Sequence, residues 1–272
     1  MEAIKGNIKT EYALYPKEVL AELEQSKKSL FLGIPKENDY QEKRVPLTPN
    51  SVAALINYGF RVAIEKDAGT ASHFSDEEYV RAGADVVYTK EDVYKADIIV
   101  KSGPLSPNDI TLLHPGQMIF SPILLPTQTK SMVKSMMEKR ITAIAFEYVK
   151  GDYGTYPFMR SMSEIAGNYA ITIAARYLSN EYGKGILLGG IAGQPPARVV
   201  ILGAGTVGES AAKSALALGA SVQVFDDNIY RLSRLQNDLG LKIYTSVLDP
   251  INMAKNIERA DVVIGAMKPK NG

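Results

Sequence analysis

The chain contains no cysteine, which removes disulfides, thiolate-held metals and cysteine nucleophiles at the outset. Histidine is almost as scarce. His73 and His114 are the only two, too few and too isolated for a histidine metal centre. No charge of one sign dominates: 31 basic and 30 acidic residues leave a formal net charge of +1, so neither nucleic acid nor a membrane surface is expected as a partner. No apolar run reaches the roughly 20 residues of a membrane span, and the N-terminus is charged rather than signal-like. Membrane insertion is therefore not expected, and a cytoplasmic location is. What remains is a chain of 272 residues, long enough for two domains with cores of their own.

The richest stretch runs from Arg198 to Asp227. It opens with a β-branched apolar run, Val199 to Leu202, of strand length. Gly203, Gly205 and Gly208 follow in G-x-G-x-x-G spacing, then a helical pattern through Val207, Ala211, Ala215 and Leu218. Gly219 ends that pattern, and a second strand, Ser221 to Phe225, leads into Asp226. Strand, glycine turn, helix, strand and terminal acid together form the context that a dinucleotide fingerprint requires. Gly203 permits the tight turn, Gly205 lets backbone amides approach a pyrophosphate, and Gly208 lets the helix pack close to the strand. The helix N-terminus offers its unpaired N–H groups to phosphate. Asp226 stands near the expected spacing of about 20 residues for the acid that accepts from ribose hydroxyls, and it would repel a 2′-phosphate. NAD is the expected cofactor. Its binding set is Gly203, Ala204, Gly205, Thr206, Val207, Gly208 and Asp226, with Ala266 and Met267 after the last strand.

Residues 1–29 are polar and helix-prone, with Val19, Leu20 and Leu23 on one stripe, and are expected to form a helical extension. Residues 30–160 alternate strand signals (Leu30–Ile34, Arg61–Glu65, Asp85–Tyr88, Asp97–Val100, Gln117–Phe120, Thr142–Tyr148) with helical ones, the pattern of βαβ units around a mostly parallel sheet. This domain has no glycine fingerprint, so it is the candidate for substrate. After its first strand the loop IPKENDYQEKRVPLTP gathers Lys36, Glu37 and Arg44, at the edge where open α/β sheets bind ligands. Arg44 can grip a carboxylate through two parallel N–H bonds. Lys101, directly after the strand Asp97–Val100, is at the same edge. The alternative for both is a solvated surface role. From residue 161 to 272 lies the expected nucleotide domain. It begins with a helix through Ile165, Tyr169, Ile173 and Leu178 that Ser161 or Ser163 could cap, and that is expected to lead from one domain to the other. GILLGGIAGQPP then reads as a hairpin or tight connection. Four strands are expected here where a complete doubly wound domain has about six, so this domain is expected to be incomplete at its C-terminal end.

Several of these stretches together resemble one family. GIPKE…EKRVPLTP (Gly33–Pro49), DIIVKSGPL, HPGQMIFSPILLP, MRSMSEIAGNYA, GILLGG and the fingerprint ending VFDDN are similar to the alanine dehydrogenase and proton-translocating transhydrogenase α-subunit family, over nearly everything after residue 30. MSEIAG (Met162–Gly167) is nearer the dehydrogenase form. The resemblance implies two Rossmann-like parallel-sheet domains facing a cleft, and reversible oxidative deamination of L-alanine to pyruvate and ammonia with NAD. It also implies a homo-oligomer and a small amino acid or 2-keto acid as partner. It assigns Arg44 and Lys101 to the pyruvate carboxylate and carbonyl, Ser163 to the cofactor, Asp226 to the ribose and Arg231 to the adenosine end.

Two departures accompany that resemblance. The dehydrogenases carry an acid/base histidine in a motif resembling FTYLHLA, and here the matching FSPILLP places Leu124 at its position. Neither His73 nor His114 sits in that motif, and both are expected in loops. The family aspartate, in a motif resembling DIAIDQGG, falls beyond Gly272, so little turnover is expected of these 272 residues alone. An NAD(H)-holding component like the transhydrogenase α-subunit, and a dehydrogenase of a larger amino acid such as saccharopine, stand as alternatives.

Overall fold

The computed structural model describes residues 29–37 and 41–267. The expected helix before residue 29 lies outside them. The chain divides by contacts into two compact units, one ending at Phe146 and the other starting at Glu147. This division places the long helix that follows in the second unit.

Six parallel strands build the first unit: β1 (Phe31–Ile34), β2 (Arg61–Glu65), β3 (Asp85–Val87), β4 (Ile98–Val100), β5 (Met118–Ser121) and β6 (Thr142–Ala145). They lie in the order β3-β2-β1-β4-β5-β6. The order reverses between β1 and β4, the switch point where ligands of open α/β sheets bind. Five helices intervene: α1 (Pro49–Asn57), α2 (Asp76–Arg81), α3 (Lys90–Val93), α4 (Pro107–Leu112) and α5 (Lys130–Glu138). Each begins at a Thr or Ser whose side chain accepts a backbone N–H of the first turn, the cap that satisfies one of the unpaired donors there. The six expected strands are all present. The last is shorter than expected, because the chain tightens into a 3₁₀ turn at Phe146–Tyr148. The far end of α4 is fixed by Lys139, whose Nζ donates to the carbonyls of Ile110, Thr111 and Leu113 at 2.7–2.8 Å.

The second unit holds a long helix α6 (Pro157–Leu178) and four parallel strands, β7 (Arg198–Leu202), β8 (Ser221–Phe225), β9 (Tyr244–Ser246) and β10 (Val262–Gly265). Their order is β10-β7-β8-β9, the same relative order as β4-β1-β2-β3 of the first unit. Helices α7 (Thr206–Ala217), α8 (Ile229–Leu239) and α9 (Pro250–Glu258) alternate with them. One device recurs in both sheets. The aspartate just before the fourth strand accepts the first N–H of the central strand, Asp97 from Phe31 at 3.0 Å and Asp261 from Arg198 at 2.9 Å. The expected hairpin in GILLGGIAGQPP is a tight antiparallel bridge between Ile191 and Gln194.

The sequence reading of α6 requires one correction. Pro157 opens the helix, and its fixed φ suits a first helical position, so Ser161 and Ser163 are interior residues rather than caps. Ser161 donates back to the Pro157 carbonyl at 3.3 Å. Of the apolar residues on helical spacing, Leu178 is buried, whereas Ile165 and Tyr169 are each 62% exposed. The buried face carries Gly167, Ile171 and Leu178. A Cβ at Gly167 would stand 2.4 Å from the Val207 carbonyl oxygen, so α6 crosses α7 with backbones nearly touching, which larger side chains could not allow. Asn168 locks the crossing by accepting from Ser214 Oγ at 2.6 Å. Gly167→Ala should force the helices apart and lower stability by about 1–3 kcal/mol. Chemical denaturation followed by circular dichroism reads this, and an unchanged midpoint would show that the crossing tolerates a methyl group.

Candidate functional site

In the second unit the glycine turn has the shape its spacing predicts. Gly203 adopts φ +111°, the region that favours glycine, and a Cβ there would meet the Ala266 carbonyl oxygen at 2.6 Å. Ala266 and Met267 therefore lie directly against the turn, tied by the Ala266 N–H to the Leu202 carbonyl at 2.7 Å. A Cβ at Gly208 would sit 1.8 Å from the Gly203 carbonyl oxygen, whereas Gly205 has open space around its Cβ position. Of the three glycines, two make the packing possible and the third leaves the backbone bare. Gly205 caps α7 without a side-chain acceptor, and Thr206 and Val207 begin the helix. Asp226 is 2% exposed. Its Oδ2 accepts from the Ala204 N–H at 2.6 Å and its Oδ1 from the Asn228 N–H at 2.8 Å. Arg231 approaches Oδ2 at 3.8 Å. Ser163 lies one turn before Gly167 on the same face of α6, the face that meets α7 near its start.

In the first unit the candidates gather at the β1/β4 switch point. Glu37, after β1, reaches across to the chain leaving β4. Its Oε2 accepts from Lys101 Nζ at 2.7 Å, and its Oε1 from the N–H groups of Ser102 and Gly103 at 2.7 and 3.1 Å. Lys101 is 2% exposed, and its ammonium also lies 3.5 Å from Asp109 Oδ2. Asp109 on α4 in turn pairs with Lys90 on α3, and its Oδ2 accepts the Ser106 N–H at 2.8 Å to complete a capping box. Burial alone would push the Asp109 carboxyl up. The charge of Lys101, the contact with Lys90 and the Ser106 N–H outweigh it and bring it down to about 2. Tyr94, buried beside Asp109, has its hydroxyl pKa raised, first by burial and then by that charge.

Arg44 is half exposed and grips Glu42 through Nε and NH2. That side-chain hydrogen bond holds Glu42 below the usual carboxylate range and raises Arg44. Leu124 follows β5 and adopts left-handed φ 47° and ψ 51°, a conformation costly for a leucine. It is 40% exposed, and its carbonyl accepts from Thr127 Oγ1 at 2.8 Å. His73 and His114 are both exposed, outside strands and helices. Glu42, Asp109 and Lys90 were missed in the sequence. The acid two positions before Arg44 was readable as a partner, whereas Asp109 is visible there only as a helix-capping residue.

A model of the alanine dehydrogenase/PNT N-terminal domain matches residues 33–166, and one of the C-terminal domain of the same family matches residues 170–270. The chain belongs to the alanine dehydrogenase/PNT family. The alanine dehydrogenase of Methanococcus maripaludis is 40% identical over 240 residues, which are 88% of this chain and 64% of that one. The alanine dehydrogenase of Bacillus subtilis is 37% identical over 239 residues, 88% of this chain and 63% of that one. Among solved structures, an L-alanine dehydrogenase superposes with TM-score 0.79 at 37% identity, covering 86% of this chain and 65% of that one. A transhydrogenase from Sinorhizobium meliloti follows with TM-score 0.74 at 27% identity, covering 87% and 69%. The chain thus spans less than two thirds of the length of the curated alanine dehydrogenases it matches. No helix among the described residues is long and apolar enough to cross a membrane.

The folded pKa of Asp109 lies below its unfolded value, so its stabilising contribution is complete above about pH 4 and is lost as the pH falls to about 2. Asp109→Asn should cost about 3 kcal/mol near neutrality, because it leaves Lys90 and Lys101 short of a buried partner. The gap between the two proteins should close across that acid window. Urea titrations at stepped pH measure it, and a gap that persists unchanged to pH 2 would contradict the assignment.

Proposed function

We propose that this chain is the substrate- and NAD-binding part of an alanine dehydrogenase-like oxidoreductase, which interconverts L-alanine with pyruvate and ammonia. The observation that carries the reading is Asp226, a carboxylate seated on the amide of the glycine turn. Such an acid suits a ribose diol and rejects a 2′-phosphate. Gly203, Ala204, Gly205, Thr206, Val207 and Gly208 would hold the pyrophosphate, with Ala266 and Met267 beside the turn, Arg231 toward the adenosine end and Ser163 on the helix crossing. NAD, when bound, supplies the hydride acceptor.

In the first unit Arg44 and Lys101 carry the positive charge for the acid. Arg44 is the solvent-facing cation, and Lys101 stands behind it with its ammonium on Glu37. Their work is to bind and orient a 2-keto acid. Leu124, at the position of the family's proton carrier, can neither donate nor accept. That residue favours a second reading, in which the chain holds NAD(H) as the transhydrogenase α-subunit does and passes hydride without imine chemistry. Homo-oligomeric assembly belongs to the first reading.

NAD should bind more tightly than NADP, and Asp226→Ala should weaken NAD by about 1.5–3 kcal/mol, the worth of a charged acceptor, while narrowing the preference over NADP. Fluorescence titration with both nucleotides decides this, and stronger binding of NADP by the unaltered protein would falsify it. Arg44→Ala should lower pyruvate affinity about tenfold or more without moving that of NAD. Pyruvate binding, followed by titration calorimetry, separates the two readings: it is expected under the first, even where turnover is slight, and absent under the second.

A further inference from the structure

Arg44 already holds a carboxylate. Glu42 Oε1 accepts from Arg44 Nε at 2.7 Å and from the Arg44 backbone N–H at 3.0 Å, while Oε2 pairs with NH2. Two parallel N–H bonds from one guanidinium edge are also how an arginine grips the carboxylate of a small ligand. The Glu42 side chain is 14% exposed and that of Arg44 47%, so solvent reaches the guanidinium while its acid is tucked beneath. Gly103 makes this possible. A Cβ there would stand 3.1 Å from Glu37 Oε2 and 3.5 Å from Glu42 Cγ, so the glycine leaves room for both acids.

Those two acids are not equivalent. Glu37 spends both oxygens on Lys101 and on two backbone amides, and removing it would strand a buried ammonium. Glu42 instead accepts from the backbone N–H, Nε and NH2 of Arg44, across a two-residue separation within one loop. Among the described residues, ion pairs match Glu37, Glu42 and Asp109 with Arg44, Lys101 and Lys90, so a further carboxylate on the Nε and NH2 edge of Arg44 competes with Glu42 for the same donors.

We propose that Glu42 occupies the place on Arg44 that a ligand carboxylate takes, and that acid binding is an exchange in which Glu42 turns out to solvent. This rests on the reading of Arg44 as the acid-binding cation. Glu42 then limits the affinity of the site, and the basal state is self-occupied.

Pyruvate titrated calorimetrically into the unaltered protein, Glu42→Gln, Glu42→Ala and Arg44→Ala tests the exchange, with NAD affinity as the control for intact folding. Either Glu42 variant should bind pyruvate about tenfold more tightly, the scale of a half-exposed bidentate pair, with NAD unchanged. Equal or weaker pyruvate binding by the Glu42 variants would make that carboxylate an orienting partner of Arg44 and overturn the exchange. Loss of pyruvate in Arg44→Ala alongside such a result leaves the acid-site reading standing and removes only the exchange. Undiminished binding by Arg44→Ala, or no binding by any of the four, removes both.

Discussion

The first unit depends on one buried ion pair. Lys101 leaves the central sheet with its ammonium out of water, and an unpaired cation there would cost several kcal/mol. Glu37 meets that cost by crossing from the neighbouring strand exit, and in doing so ties β1 to β4 at the point where the strand order reverses. Asp109 and Lys90 extend the pairing into two helices, and Lys139 fixes the helix that carries Asp109. The positions of Ser102 and Gly103, and so the floor beneath Arg44, follow from where this pair sits.

The second unit is governed by closeness rather than charge. Gly203 against Ala266, Gly208 against the Gly203 carbonyl and Gly167 against the Val207 carbonyl are three approaches that no side chain could enter. Together they bring a turn, a strand exit and two helices to one point. The exposed ridge of α6, with Phe158, Ile165, Tyr169, Ile173 and Tyr177, is what remains once the small residues have taken the packed side.

Much of this was legible in the sequence. The strands, the glycine turn, Asp226 and the edge positions of Arg44 and Lys101 all followed from periodicity and spacing, because these are local signals. The role of Gly167 on α6 was illegible because a hydrophobicity pattern marks large apolar residues, whereas this contact selects small ones. Asp109 was illegible as a charge partner because its neighbours come from α3 and β4, far apart in the chain. The pairing of Lys101 with Glu37 was hidden for a related reason: a basic residue at a strand end reads the same whether it faces water or a carboxylate.

The two sheets share a strand order but differ in what links the first strand to the first helix. In the second unit that link is Gly203 to Gly205, which brings the start of α7 close to the strand end. In the first unit it runs from 35 to 48, and its described residues Glu37, Glu42 and Arg44 bring charged side chains to the sheet edge. The two units thus differ in the length of one connection, three residues (203–205) in one and fourteen (35–48) in the other. Substitutions at 41–48 within the longer connection can accordingly alter side chains at the sheet edge while the hydrogen-bond ladder of β1 with β2 and β4 stays as it is.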